Sequence, residues 1–312
     1  MWVVTGISTG LTQGFSIQLS QYYGAKDFEN LRKSLAHSYR LTAFIAAGVL
    51  ILSQSFASLV LTGLHTPSNI IGMSLLYLRI IFCGIPATAA YNMFAAALRA
   101  MGNSKTPLTA MIIASVLNVS LDILFVAGFG WGVAGAAIAT VIAQSFSAVY
   151  CFLILRRIDI VHLTRADFMP ASGMNARLMK LGIPVVFQNI IIGVGGLVVQ
   201  YVINGYGFLF VAGFTATNKL YGLLEMAAIS YGYAIVTYVG QNLGAGKIDR
   251  IRKGVRSSML LSLLTSLIIS AAMFLFGKNI LSLFISGEPQ QTQEVLAIAF
   301  KYLSIMAAML WV

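Results

Sequence analysis

The chain has 312 residues, of which 58% are hydrophobic and only 9% are charged, and its mean hydropathy is +0.86. Soluble domains carry about 25% charged residues, so this composition excludes an ordinary soluble domain and predicts an integral membrane protein. The formal net charge is +11. That charge does not indicate nucleic-acid binding, because the sequence contains neither a basic stripe nor an aromatic platform for bases.

Nine apolar segments are each long enough to cross a bilayer, which takes about 20 residues of helix. They lie near 1–22, 36–61, 70–98, 107–127, 132–155, 179–203, 209–240, 257–277 and 292–312. The sequence therefore predicts an all-α, polytopic membrane protein. Cys83 and Cys151 both lie inside apolar segments, so we interpret them as small core residues rather than as disulfide partners or metal ligands.

Lysine and arginine residues are concentrated in alternate connections between these segments. The basic connections hold Lys26, Arg32 and Lys33; Arg99 and Lys105; Arg156, Arg157, Arg165, Arg177 and Lys180; and Lys247, Arg250, Arg252, Lys253 and Arg256. The connections near 62–69, 128–131 and 204–208 hold none, and the one near 278–291 has only Lys278. The positive-inside rule makes the basic side cytoplasmic. We therefore predict that residue 1 lies outside and the polar stretch 156–178 inside.

A short tract occurs twice, at 21–33 and again at 241–253. Gln21, Gly24, Ala25, Arg32 and Lys33 recur as Gln241, Gly244, Ala245, Arg252 and Lys253. A generic cytoplasmic turn with a glycine stop would explain part of this match, but the number and order of identities favour a duplication. Parallel repeats of this kind occur in one class of transporter. We predict an N-terminal lobe at 1–157, a cytoplasmic linker at 158–178 and a C-terminal lobe at 179–312.

Asp122 lies within the apolar run 110–127, one helical turn after Asn118. A charged side chain at that depth costs on the order of 2.5–3.5 kcal/mol on insertion scales, and such residues mostly mark ion or proton pathways. Positions four residues apart share one face of a helix. The pair therefore predicts a relay for a proton or a cation. The alternative is a structural aspartate that is satisfied by hydrogen bonds between helices.

Four further polar residues in apolar segments are candidates for a substrate cleft: Glu225, Gln188, Lys219 and Arg79. Glu225 is expected to face a cavity and to contact a substrate or coupling ion. The alternative is an internal ion pair with Lys219 or with a missing helix. Arg79 would pair with a carboxylate or with a lipid headgroup. Gln188 would supply hydrogen bonds along a pathway or, equally well, between helices.

Several motifs resemble the multidrug and toxic compound extrusion (MATE) family, most closely its DinF-like branch. They are Gly24-Ala-Lys-Asp27, Ala97-Leu-Arg-Ala-Met-Gly-Asn-Ser-Lys-Thr-Pro107, Asn118-Val-Ser-Leu-Asp122, Gly132-Val-Ala-Gly-Ala-Ala-Ile-Ala-Thr140 and Val239-Gly-Gln-Asn-Leu-Gly-Ala-Gly246. Members of that family have twelve helices in two lobes. The nine segments look like the second to the tenth, so the resemblance leads us to expect a truncated chain.

The resemblance implies a cation-coupling site at Tyr77, Asn118, Asp122 and Thr140. Na⁺ is a candidate for the ion bound at Asp122. It also implies a multi-pass antiporter of the inner or plasma membrane, with two helical bundles around a central cleft. Such a protein would export organic, often cationic compounds in exchange for H⁺ or Na⁺. We expect it to be monomeric, without a cofactor and without a nucleic-acid partner.

Two other functions remain open at this stage. A lipid-linked oligosaccharide flippase of the same superfamily would be expected to line its cleft with several cationic residues. A membrane scaffold that transports nothing is the second alternative. The sequence contains no HExxH motif, Cys–His cluster, GxSxG motif or phosphate-binding loop, so we predict that the protein is not an enzyme.

Overall fold

The computed structural model describes residues 2–63, 68–285 and 289–310, and in these ranges the chain forms α-helices without any β-strand. The helices are α1 (Trp2–Gly24), α2 (Phe28–Gly63), α3 (Ser68–Cys83), α4 (Ile85–Ala100), α5 (Lys105–Asp122), α6 (Gly132–Arg156), α7 (Met174–Asn204), α8 (Phe208–Gly244), α9 (Ile248–Ser282) and α10 (Pro289–Met309). Two short 3₁₀ turns, Asp159–Val161 and Arg165–Phe168, lie between α6 and α7.

Helices occupy all nine predicted places, with α3 and α4 together filling the third. Six described helices are long and apolar enough to cross a membrane, or seven spans if α3 and α4, bent by 41°, form one. The all-α, polytopic class is therefore confirmed, and the count of nine spans is approximate. The predicted connections near 62–69 and 278–291 lie partly outside the described residues, as do residues 1, 311 and 312.

Backbone irregularities divide two of the predicted segments. The third breaks at Gly84, and Pro86 is the second residue of α4, a position where the missing proline N–H removes no helical hydrogen bond. A π-helical segment, Ile123–Gly128, follows α5 directly. By contrast, α7 continues through Pro184 as one helix.

Some helices extend beyond the apolar segments that predicted them. The segments predicted at 36–61 and 257–277 correspond to longer helices at Phe28–Gly63 and Ile248–Ser282. Hydropathy marks only the residues suited to hydrocarbon, and a helix continues until a turn stops it. One such turn precedes α2, where Lys26 has a φ of 58° in the left-handed region.

The chain divides into two compact units. The first comprises Met1–Gly193 with Gly240–Gly246, and the second comprises Val194–Val239 with Lys247–Val312. The core of the first unit includes Phe15, Leu19, Leu35, Met93, Leu98 and Leu178. The core of the second includes Leu220, Met273, Leu281, Leu303 and Ala307. The lobe boundaries that we drew from the sequence stay a prediction.

The two cysteines differ in their surroundings. Cys151 is buried, as the sequence suggested, but Cys83 is exposed, so its interpretation as a core residue was wrong. An apolar segment shows that a residue lies in a membrane-spanning helix. It does not show whether the side chain faces protein or lipid.

Two glycines of the repeated tract make reciprocal close contacts within the first unit. A Cβ added to Gly24 would overlap the backbone of Gln241, and a Cβ added to Gly244 would overlap the backbone of Gln21. Each tract therefore approaches the other through a residue that has no side chain.

Candidate cation-coupling site

Asp122 is the last residue of α5 and directly precedes the π-helical segment Ile123–Gly128. Its Oδ1 atom is buried and has no hydrogen-bond partner among the described residues. A buried polar atom without a partner costs free energy, and an orphaned carboxylate oxygen costs more than a neutral one. A proton, a cation or a water molecule at Oδ1 would remove that cost.

Asn118 and Thr140 are brought together by the packing of α5 against α6. The Nδ2 group of Asn118 donates to the Oγ1 of Thr140 at 3.5 Å, which is long for a hydrogen bond and therefore weak. The Thr140 hydroxyl in turn donates to the Ala136 carbonyl at 3.0 Å. Asn118 thus lies one turn before Asp122 on α5, and Thr140 contacts Asn118 from α6.

Tyr77, the fourth residue that the resemblance suggested, lies on α3 and is half-buried. Its hydroxyl forms no hydrogen bond with any described residue, and neither Asn118 nor Thr140 is its partner. The described residues also contain no group of three or more His, Cys, Asp or Glu side chains that could hold a metal ion. The residues predicted for the site would offer a cation one carboxylate, that of Asp122, and neutral oxygens. The assignment of this site stays a prediction.

The four candidate substrate residues are all exposed: Arg79 and Gln188 in the first unit, and Lys219 and Glu225 in the second. Lys219 lines a pocket of about 310 Å³ in the second unit, together with Thr215, Gln291 and Thr292. Glu225 is not part of the pocket lining. Among the described residues, no ion pair joins Lys219 to Glu225, so the alternative interpretation of Glu225 as the partner of Lys219 finds no support.

Sequence reasoning missed a polar cluster that joins α2 to the connection between α6 and α7. His37 is buried, and its Nδ1 lies 2.7 Å from Asn175 Oδ1 while its Nε2 lies 3.0 Å from the Met169 carbonyl. Asp167 accepts hydrogen bonds from the backbone N–H and the hydroxyl of Thr164, at 2.7 and 2.8 Å. Only one part of this polar cluster has a local sequence pattern. Thr164 and Asp167 have the three-residue spacing of a capping box.

Arginines on α2 complete this cluster. Arg40 donates to the Phe168 carbonyl at 2.9 Å, and the guanidinium of Arg32 lies 3.7 Å from the Asp167 carboxylate. The connection between α6 and α7 is therefore held against α2 by side chains that are distant in sequence.

Solved transporters share this fold. A structure described as a MOP superfamily transporter from Pyrococcus furiosus, with a "reverse polarity of binding pocket", superposes with a TM-score of 0.90 at 20% identity, covering 99% of this chain and 69% of that one. An outward-facing multidrug resistance MATE family transporter superposes with a TM-score of 0.88 at 18% identity, covering 99% and 68%. The chain thus has the fold of these transporters, and its long apolar helices agree with a multi-pass membrane protein.

Sequence comparison identifies the family. A protein-family model described as MatE matches residues 1–124 and 184–311. The chain belongs to the MatE family. It is 32% identical to the probable multidrug resistance protein YpnP of Bacillus subtilis over 96% of the chain, and 27% identical to the probable multidrug resistance protein YoeA of the same organism over 97%. The chain spans about two thirds (66%) of the length of each relative.

Proposed function

We propose that this chain carries out secondary active antiport, exporting organic and often cationic compounds in exchange for H⁺ or Na⁺. One observation carries the proposal: a membrane-spanning helix in a MatE family member holds a carboxylate whose Oδ1 is buried without a described partner. The names of the relatives as multidrug resistance and export proteins support a transporter rather than an enzyme.

The proposed coupling step takes place at Asp122. An incoming proton or Na⁺ neutralises the carboxylate and gives its buried oxygen a partner, which favours one packing of α5 against α6. Release of the ion restores the charge and favours another packing. An ion shifts such an equilibrium only by its difference in affinity for the two states, and a buried carboxylate provides that difference. Asn118 and Thr140 would supply neutral oxygens to either form.

The proposed contacts with the substrate remain those predicted from the sequence, at Arg79, Gln188, Lys219 and Glu225. Glu225 would attract a cationic compound. Lys219 lines the described pocket and would favour an anionic group. A flippase for lipid-linked oligosaccharides is the second candidate function, because its substrate carries phosphate that the Lys219 ammonium group would attract.

The test measures transport by the purified chain in proteoliposomes, with either a pH or a Na⁺ gradient imposed. We expect gradient-driven movement of a fluorescent organic cation in the wild type and its loss in Asp122→Asn. Asparagine keeps the shape of the side chain but can neither take up a proton nor balance the charge of Na⁺. The matched control is Asp159→Asn, because Asp159 is a fully exposed carboxylate in the connection before α7.

The melting temperature in detergent should not fall in Asp122→Asn, since that change removes a buried charge. Wild-type transport in Asp122→Asn would place coupling at another residue. Absence of cation transport in the wild type, with movement of a fluorescent lipid-linked oligosaccharide instead, would favour the flippase.

A further inference from the structure

The first turns of α9 carry a dense group of basic residues that the coupling site does not use. Between Lys247 and Arg256 the sequence has five basic residues and one acid, Asp249. All five basic residues are exposed, and none forms an ion pair with any described residue. We call Arg252, Lys253 and Arg256, which lie on one side of the helix, the basic face of α9.

Packing fixes the direction of this face. A Cβ on Gly254 would overlap the ring of Tyr238, so α9 lies directly against the end of α8 at that point. The Tyr238 hydroxyl also donates to the Arg250 carbonyl at 3.2 Å. Ile251, Gly254 and Val255 are half-buried on the packed side. At 100° per residue, the basic face occupies the opposite side of the helix.

The length of α9 places its basic face at the membrane surface. Its 35 residues extend about 52 Å at 1.5 Å per residue, well beyond a hydrocarbon core of about 30 Å. The stretch of α9 without charged residues begins at Ser257, so the preceding turns lie in the headgroup layer. The positive-inside rule assigns this end to the cytoplasmic leaflet.

The first copy of the repeat, at 21–33, has basic residues at the same positions as the second copy and can be compared with it. Arg32 and Lys33 align with Arg252 and Lys253, but Arg32 faces Asp167 at 3.7 Å and Lys33 donates to Glu29 at 2.6 Å. The first copy thus satisfies its positive charges with carboxylates of the same chain. The second copy has the same charges and has Asp249 at the position of Glu29, but no ion pair joins Asp249 to Lys253 among the described residues.

We propose that the basic face of α9 binds the phosphate groups of anionic phospholipids in the cytoplasmic leaflet. Juxtamembrane basic residues are attracted to anionic lipid surfaces, each contributing about a fivefold gain in affinity. Arginine side chains also bind phosphate oxygens in bidentate fashion. This inference does not depend on transport or on Asp122.

The experiment titrates phosphatidylglycerol or phosphatidylcholine into the detergent-solubilised chain and measures bound lipid by native mass spectrometry. We expect phosphatidylglycerol to bind more tightly than phosphatidylcholine. Arg252→Gln with Lys253→Gln should weaken phosphatidylglycerol binding at least tenfold, consistent with about fivefold per charge. Arg252→Lys, which keeps the charge, should bind within about threefold of the wild type.

The matched control is Arg32→Gln with Lys33→Gln, which removes the same two charges from the first copy. We expect it to bind phosphatidylglycerol within about threefold of the wild type, because those charges are already paired. Equal weakening in both double variants would show attraction to net charge and overturn the proposal. So would equal binding of the two lipids, or displacement of the lipid by inorganic phosphate. Melting temperatures establish that each variant is folded.

Discussion

The two copies of the repeat share their backbone contacts but use their charges differently. Gly24 and Gly244 each end a long helix and each touch the backbone of the other copy. The first copy pairs its basic residues with carboxylates, whereas the second leaves Arg252 and Lys253 exposed. At so close a helix crossing only glycine fits without a steric clash, so both copies have glycine at the contact. Surface charges cost little to change, so they diverge.

The largest expected effect is a loss of stability when the backbone contact that both copies share is disturbed. Gly24→Ala and Gly244→Ala each disturb it. A methyl group at either position must push two backbones apart, and overpacking of this kind costs about 3 kcal/mol or more when backbone has to move. Both variants should lower the melting temperature in detergent by similar amounts. The control is Gly48→Ala, where a Cβ would meet nothing within 4 Å. Two variants that melt like the wild type would contradict the reciprocal contact.

A smaller effect is expected from Asp167→Ala, which makes the first copy resemble the second by removing the partner of Arg32. The change also removes the acceptor for the Thr164 backbone N–H and hydroxyl. Because Asp167 is buried, we expect a loss of about 2 kcal/mol in the free energy of unfolding. Asp159→Ala, in the same connection but fully exposed, should melt like the wild type. An equal loss in both variants would mean that the cluster around Asp167 is not structural.

The smallest effect is expected from Glu29→Gln, which removes the exposed partner of Lys33. Glu29 and Lys33 are one turn apart on α2, so their attraction is weak and screened by salt. The melting temperature should fall slightly at low ionic strength and match the wild type in high salt. Asp249→Asn, the equivalent change in the second copy, should show a smaller dependence on salt because no ion pair is described there. The opposite order would show that the two copies do not differ in charge pairing.

The fold was predicted well because bilayer-spanning helices have a strong local signature. Each predicted segment coincides with a helix, although the third is divided into α3 and α4 at Gly84. The helix ends were less accurate, since α2 and α9 continue through polar turns that hydropathy does not mark. The π-helical turn after Asp122 had no signal that we recognised.

The geometry of the candidate site could be predicted only in part. Asn118 and Asp122 share a helix face by spacing alone, whereas the contact of Asn118 with Thr140 depends on how α5 packs against α6 and came only from the family resemblance. The pairing of His37 with Asn175 joins residues 138 positions apart. No local pattern predicts a contact of that range, because it depends on the path of the chain between them.

The reciprocal glycine contacts have one more consequence, which concerns symmetry. In an isologous interface, residue i of one subunit meets residue j of its mate, and j meets i in return. Gly24 with Gln241 and Gly244 with Gln21 have that form within a single polypeptide. The crossing is the contact that two identical half-length chains would make around a two-fold axis. The repeat thus keeps, inside one chain, the interface geometry of a homodimer.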